Sequence, residues 1–158
     1  MKSSRRQFET IPLAEVLKKG VTIDDPYQEK NASQYELATT AKRKRVLVVD
    51  DERVIADTLT AIFDKAGYEA MAAYDGMTAL LQCESFLPEL VVTDVSMPGM
   101  NGIEMAILVT QRYPECRILL FSGQASTVNL LEEARTKGYD FELLTKPVHP
   151  KELLAKIA

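Results

Sequence analysis

The chain has 158 residues, 46% of them hydrophobic and 27% charged, with a formal net charge of −4, so it can bury a core of its own without disulfides or a structural metal. Its two cysteines, Cys83 and Cys116, lack metal-ligand spacing and His149 is its one histidine, which argues against a zinc site, a Ser-His-Asp triad and a disulfide scaffold. No apolar run approaches the ~20 residues of a membrane span, and the charged start Met1-Lys2-Ser3-Ser4-Arg5-Arg6 leads into no apolar signal core, so a cytoplasmic address away from the membrane is expected.

The charge is unevenly placed. Residues 1–45 carry a balance of +4 and residues 46–158 a balance of −8. An acidic body repels a phosphate backbone, so nucleic acid is not an expected partner. The basic run Lys42-Arg43-Lys44-Arg45 is the exception, and it reads more simply as a solvated edge before a buried strand.

The first 44 residues read as an extension. Phe8, Ile11, Leu13, Val16 and Leu17 suggest a short amphipathic helix, with Pro12 near its start and Gly20 past its end. Asp24-Asp25-Pro26 and the polar stretch to Gln34 read as linker, and Ala32 to Leu37 as a further helical turn. From Val46 strands and helices alternate. Val46-Leu47-Val48-Val49 is a continuous branched run, the mark of a strand buried on both faces. Residues 53–66 carry Val54, Ile55, Leu59, Ile62 and Phe63 at helical spacing, with Gly67 as a stop. Tyr68 to Ala73 is a weaker strand, and residues 76–86 read as helix. Leu90 to Thr93 is a second clear strand, and Ile103 to Tyr113 is helical before Pro114. Arg117 to Phe121 is a third clear strand, and residues 126–137 form a helix ending at Gly138. Phe141 to Thr145 is a short strand and residues 150–157 a last helix, which His149 begins. Five strand–helix units in this order predict an α/β fold, a parallel sheet with right-handed crossovers and helices on both faces.

In such sheets ligands bind at the carboxyl ends of the strands. Asp50, Asp51 and Glu52 follow Val49; Asp94 follows Thr93; Ser122 and Gly123 follow Phe121; Thr145, Lys146 and Pro147 follow Leu144. Asp50, Asp51 and Asp94 crowd negative charge, which raises carboxylate pKa values and strains the fold. A divalent hard cation together with Lys146 cancels that charge. An all-oxygen carboxylate site without His or Cys suits magnesium. Magnesium, an exposed Asp and a nearby Lys fit phosphoryl transfer to a carboxylate nucleophile. A hydroxyl such as Ser122 can then hydrogen-bond the product. Each residue alone has a simpler reading. Asp51 can cap the next helix, Asp94 can begin a turn toward Pro98-Gly99, Ser122 can cap a helix, and Lys146 can be a solvated charge. The four strand ends together favour the chemical reading.

Residues 45–157 resemble the receiver domain of two-component response regulators. The matching stretches are Val46 to Glu52, Val91 to Gly102, Leu120 to Gly123 and Leu144 to Pro147. The resemblance implies a five-stranded doubly wound parallel sheet, flavodoxin-like, in order 2-1-3-4-5. It implies that Asp94 is the phosphoacceptor and that Asp50 and Asp51 hold Mg2+, one of them able to act through water. It implies that the backbone carbonyl of Ser96 completes the protein ligands, with Asp94 itself beside the metal. Ser122 is the implied switch hydroxyl and Lys146 the implied active-site lysine. The implied donor is a sensor histidine kinase or phosphotransfer protein. The implied output is a protein target met on the fourth helix, fifth strand and fifth helix, with dimerisation open. The implied chemistry is self-catalysed phosphotransfer and dephosphorylation only, not enzymatic turnover of another substrate.

The sequence departs from the family pattern at the switch. Receivers usually place an aromatic residue three positions before the lysine; here that position is Leu143, and the nearest aromatic is Phe141. The interval from Ser122 to Lys146 is also slightly longer than usual. No output segment follows Ala158, so residues 45–158 are expected to be the whole folded part. Two other function classes compete. A magnesium-dependent aspartyl-phosphate phosphohydrolase needs an acid/base Asp two residues after its nucleophile, where this chain has Ser96. A nucleic-acid-binding regulator acting through residues 42–45 lacks a recognition helix or an aromatic platform.

Overall fold

Branched apolar runs without polar alternation need cover on both faces, and the strands here are placed accordingly. The computed structural model describes residues 42–158. The helix and linker expected within residues 1–41 lie outside the described residues. The elements run β1 (Arg45–Val49), α1 (Arg53–Lys65), β2 (Glu69–Ala73), α2 (Gly76–Phe86), β3 (Leu90–Asp94), α3 (Gly102–Arg112), β4 (Arg117–Ser122), α4 (Thr127–Thr136), β5 (Glu142–Thr145) and α5 (Pro150–Ile157). All pairings are parallel, in order β2-β1-β3-β4-β5. The sheet is therefore the expected one. Its order reverses beside β1, which opens a crevice at the carboxyl ends of β1 and β3.

The period of two in the strands divides the core into two layers. Leu47, Val49, Val91 and Leu120 pack with Ala79 and Cys83 of α2, Met105 and Val109 of α3, and Ala134 of α4. Val46, Val48, Val92 and Leu119 pack with Phe63 of α1 and Leu153 and Ile157 of α5. The edge strands β2 and β5 are only half-buried, which is why their sequence signal is weak. Tyr68 precedes β2 and meets Phe63 edge-on, ring centroids 5.7 Å apart. Burial pushes the thiol of Cys83 up to about 11 and that of Cys116 up to about 12; both are unreactive core groups. No helix among the described residues is long and apolar enough to cross a membrane.

The helix starts set the loops around the crevice. Asn101 accepts N–H bonds from Ile103 and Glu104, and Glu104 returns one to the Asn101 N–H, a closed capping box for α3. His149 caps α5 through Nδ1, which accepts from Lys151 N–H at 3.2 Å, with Pro150 in the first turn. His149 therefore begins the last helix, as its neighbours suggested.

Candidate functional site

Each chemical side chain at the carboxyl rim is held by the strand before it. Asp50 follows β1, and its N–H donates to the Ala73 carbonyl at 3.1 Å, one step beyond the β1–β2 ladder. Its Oδ1 accepts the Glu52 N–H at 2.9 Å. Asp94 ends β3 opposite Phe121. Ser122 ends β4 opposite Thr145, and the Lys146 N–H donates to the Ser122 carbonyl at 2.8 Å. Backbone pairing thus fixes where these groups start before any side chain is considered.

The side chains converge. Lys146 Nζ lies 3.2 Å from Asp50 Oδ2 and 3.1 Å from Asp94 Oδ1. It also stands 5.3 Å from the centre of the Phe121 ring, within cation–π range. Asp50, Asp51 and Asp94 each offer an oxygen, all within 4.8 Å of one another. Asp50 and Asp94 are buried, at 2% and 8% exposure, while Asp51 faces solvent. Three carboxylates against one ammonium leave two negative charges in a half-closed space. Burial pushes the Asp94 carboxyl above the ordinary aspartate range, and Asp50 and Asp51 add to the rise against the pull of Lys146. Burial opposes the charge on Lys146, but the bond to Asp94 and the charges of Asp94 and Asp50 outweigh it and lift its pKa. Burial leads the rise at Asp94, and the neighbouring carboxylates carry the rise at Lys146. A divalent hard cation restores the balance, and this all-oxygen donor set fits magnesium.

The loop after β3 is built to bring a helix close to Asp94. Val95 N–H donates to the Phe121 carbonyl, and the Val95 carbonyl accepts from both Met97 and Gly102. Among the described residues, none of these bonds uses the carbonyl of the exposed Ser96. A Cβ on Gly102 would sit 2.0 Å from the Asp94 carbonyl oxygen. Glycine is therefore required where α3 begins against the end of β3.

The other candidates sort clearly. Asp51 is not the cap of α1: Glu52 occupies that position and makes no side-chain cap bond. Ser122 is not the cap of α4, because Ser126 occupies that position. Ser122 instead accepts the Gln124 N–H and pairs with Thr127 Oγ1. Leu143 lies opposite Leu120 and packs on the α2–α3–α4 side of the sheet. Phe141 does not reach the switch. It precedes β5 at the amino end of the strands, where it stacks on Tyr139 at 6.1 Å. The basic run is at that same end, where Arg45 Nε donates to the Leu87 carbonyl and its backbone N–H to Glu89. Thr127, 1% exposed, was not singled out from sequence; a hydroxyl five residues beyond Ser122 has no periodic signature.

A family model described as the response regulator receiver domain matches residues 46–158. The DNA-binding response regulator MtrA of Mycobacterium tuberculosis (strain ATCC 25618 / H37Rv) is 32% identical over 115 residues, 73% of this chain and 49% of that protein. The chain spans about half the length of the curated relatives it matches. The solved chemotaxis protein CheY4 of Vibrio cholerae aligns with a TM-score of 0.66 at 30% identity, covering 73% of this chain and 96% of that one. A CheY-like receiver domain protein from Methanospirillum hungatei JF-1 aligns with a TM-score of 0.66 at 31% identity, covering 73% and 90%.

Proposed function

The chain belongs to the response regulator receiver domain family, and from that premise we propose that it is a phospho-accepting switch. Asp94 takes a phosphoryl group from the phosphohistidine of a sensor histidine kinase or phosphotransfer protein. An Asp94 oxygen forms a bond to phosphorus as the donor's N–P bond breaks, and the imidazole nitrogen keeps the bonding pair. The observation that carries this reading is Lys146 Nζ held between Asp50 Oδ2 and Asp94 Oδ1 on adjoining strand ends. It puts a fixed positive charge beside the acceptor oxygen, where it can stabilise the charge on the equatorial phosphoryl oxygens during transfer.

Asp50, Asp51, Asp94 and the Ser96 carbonyl are the residues that would hold magnesium. Bound there, the ion would neutralise phosphoryl oxygens as a Lewis acid. Ser122 supplies a hydroxyl to the phosphorylated form. The chain promotes only its own phosphorylation and dephosphorylation. In the phosphohydrolase alternative the acid/base position falls on Ser96, whose hydroxyl is a poor general acid. We assign residues 45–158 to the receiver and residues 1–44 to an extension, with a cytoplasmic location. The output is a protein target on α4, β5 and α5.

Acetyl phosphate with magnesium tests the reading. Labelling is expected for the wild type and only background for Asp94→Asn; equal labelling of both removes Asp94 from the role. Asp51→Ala is expected to weaken magnesium binding by about tenfold, since it removes one charged oxygen ligand. Unchanged affinity by titration calorimetry would take Asp51 out of the ligand set.

A further inference from the structure

The carboxyl end of β4 contains a second buried hydroxyl that the transfer chemistry leaves unused. Thr127 opens α4 and is 1% exposed. Its Oγ1 lies 2.5 Å from Ser122 Oγ. Ser122 is 3% exposed and also accepts the Gln124 N–H at 3.2 Å. The switch hydroxyl is thus tied into the loop between β4 and α4. The Asp94 carboxylate is held by Lys146 instead.

A serine hydroxyl has one proton and two lone pairs. Either hydroxyl can be the donor of the pair, so the latch acts by position: the Ser122 oxygen is held in the loop beside Thr127 and the Gln124 N–H. A change of rotamer moves that oxygen by roughly 2 Å, out of reach of Thr127. Thr127 Oγ1 is then buried without its partner, and an unmade buried bond costs more than a made one contributes. Beyond the packing of Leu130 on the core, the polar ties of the first turn of α4 are few among the described residues. Thr127 and Val128 reach loop carbonyls at 3.3 and 3.2 Å, and Ser126 makes no side-chain cap bond. The pair of hydroxyls is therefore a direct side-chain tie from the strand end to the helix. The next residue, Val128, is 56% exposed, so a displaced first turn alters the outer surface.

We propose that Thr127 is a positioning residue that latches Ser122. While Asp94 is bare, Thr127 holds the Ser122 hydroxyl in the loop. When Asp94 is phosphorylated, Ser122 leaves Thr127 and the first turn of α4 is released. This inference rests on the phospho-accepting reading and supplies a route from site to surface that does not use an aromatic at Leu143.

The test compares Thr127→Val and Thr127→Ala, which lack the hydroxyl, with Thr127→Ser, which keeps it, in the full chain. Without ligand, amide exchange at residues 124–128 is expected to be about tenfold faster in the Val and Ala variants and close to wild type in the Ser variant. Beryllium fluoride with magnesium is expected to bind about tenfold tighter to the Val and Ala variants, because no latch competes for Ser122. If Thr127→Ser shifts as far as Thr127→Val, the role is packing and the latch is overturned. Wild-type exchange and affinity in Thr127→Val and Thr127→Ala overturn it equally. If exchange separates Ser from Val but no variant, nor the wild type, takes up beryllium fluoride, the phospho-accepting reading has failed and the switch role falls with it.

Discussion

At the amino end of the sheet, Arg117 binds Glu142 at 2.9 Å and the Lys156 carbonyl at 2.8 Å, with both ionic side chains about two-fifths exposed. At the carboxyl end, Lys146 meets Asp50 and Asp94 at similar distances, but those carboxylates are 2% and 8% exposed and outnumber it. The first arrangement is matched and screened by water, so it is worth little and strains nothing. The second is unmatched and half-closed, so it raises the pKa of both Asp94 and Lys146. Charge that a fold would be easier without is a mark of chemistry. The same five strands supply both ends, and only burial and balance tell them apart.

The largest expected effect comes from moving the backbone beneath the carboxyl end. In Gly102→Ala the new methyl meets the Asp94 carbonyl oxygen at 2.0 Å, the Asp94 carbonyl carbon at 2.9 Å and Val95 Cα at 3.0 Å. All three are backbone, so α3 must withdraw from β3. The expected loss is about 3 kcal/mol in urea unfolding, with weaker labelling at Asp94. Gly99→Ala is the control. Its φ of +72° is strained for alanine, but nothing lies within 4 Å, so about 1 kcal/mol is expected. Equal midpoints for the two variants would show that α3 is not pressed against the end of β3.

These positions were unequally legible in the sequence. Asp50, Asp94, Ser122 and Lys146 each follow an apolar run, and strand ends of a parallel sheet converge whatever the side chains do. The central strands were legible because they are buried on both faces; β2 and β5 were weaker because edge strands need less apolar surface. Phe141 was misleading. Counting from Lys146 brings it near the switch, but its register before β5 and its stack on Tyr139 keep it at the other end. Asp51 looked like a cap because capping depends on a backbone turn that composition does not encode; the turn uses Asp50 Oδ1 instead. Thr127 and the approach at Gly102 are tertiary facts, and no local pattern announces either.

A smaller effect concerns a carboxylate at the same carboxyl end whose charge is engaged. Asp75 follows β2 and caps α2: Oδ1 accepts the Thr78 N–H at 2.7 Å and Oδ2 the Thr78 hydroxyl at 2.8 Å. The Thr78 backbone bond, then its side-chain bond, lower the Asp75 pKa below the ordinary aspartate range. Asp75→Ala is expected to cost about 1 kcal/mol at neutral pH. The folded-state pKa is depressed, so this stabilisation is complete above the unfolded aspartate value. It is lost as pH falls through the lower folded value. The gap between wild type and Asp75→Ala should therefore close in acid. A gap that widens there would reverse the sign and remove the cap as its source.

The smallest effect belongs to the amino end. Glu142→Gln leaves Arg117 its bond to the Lys156 carbonyl and removes only an exposed charge. The expected change is about 0.5 kcal/mol or less, shrinking further as salt is added. Labelling of Asp94 by acetyl phosphate should match the wild type, because Glu142 begins β5 and Lys146 follows its end. Arg117→Ala should cost somewhat more, since it also frees the Lys156 carbonyl near the end of α5. The measurement is a urea midpoint at low and high salt beside a labelling rate for each variant. A labelling rate that falls in Glu142→Gln while stability holds would mean that charge at one end of β5 reaches the other. The two ends would then be one electrostatic unit, and the contrast between screened pairs and a buried, unbalanced site would no longer hold.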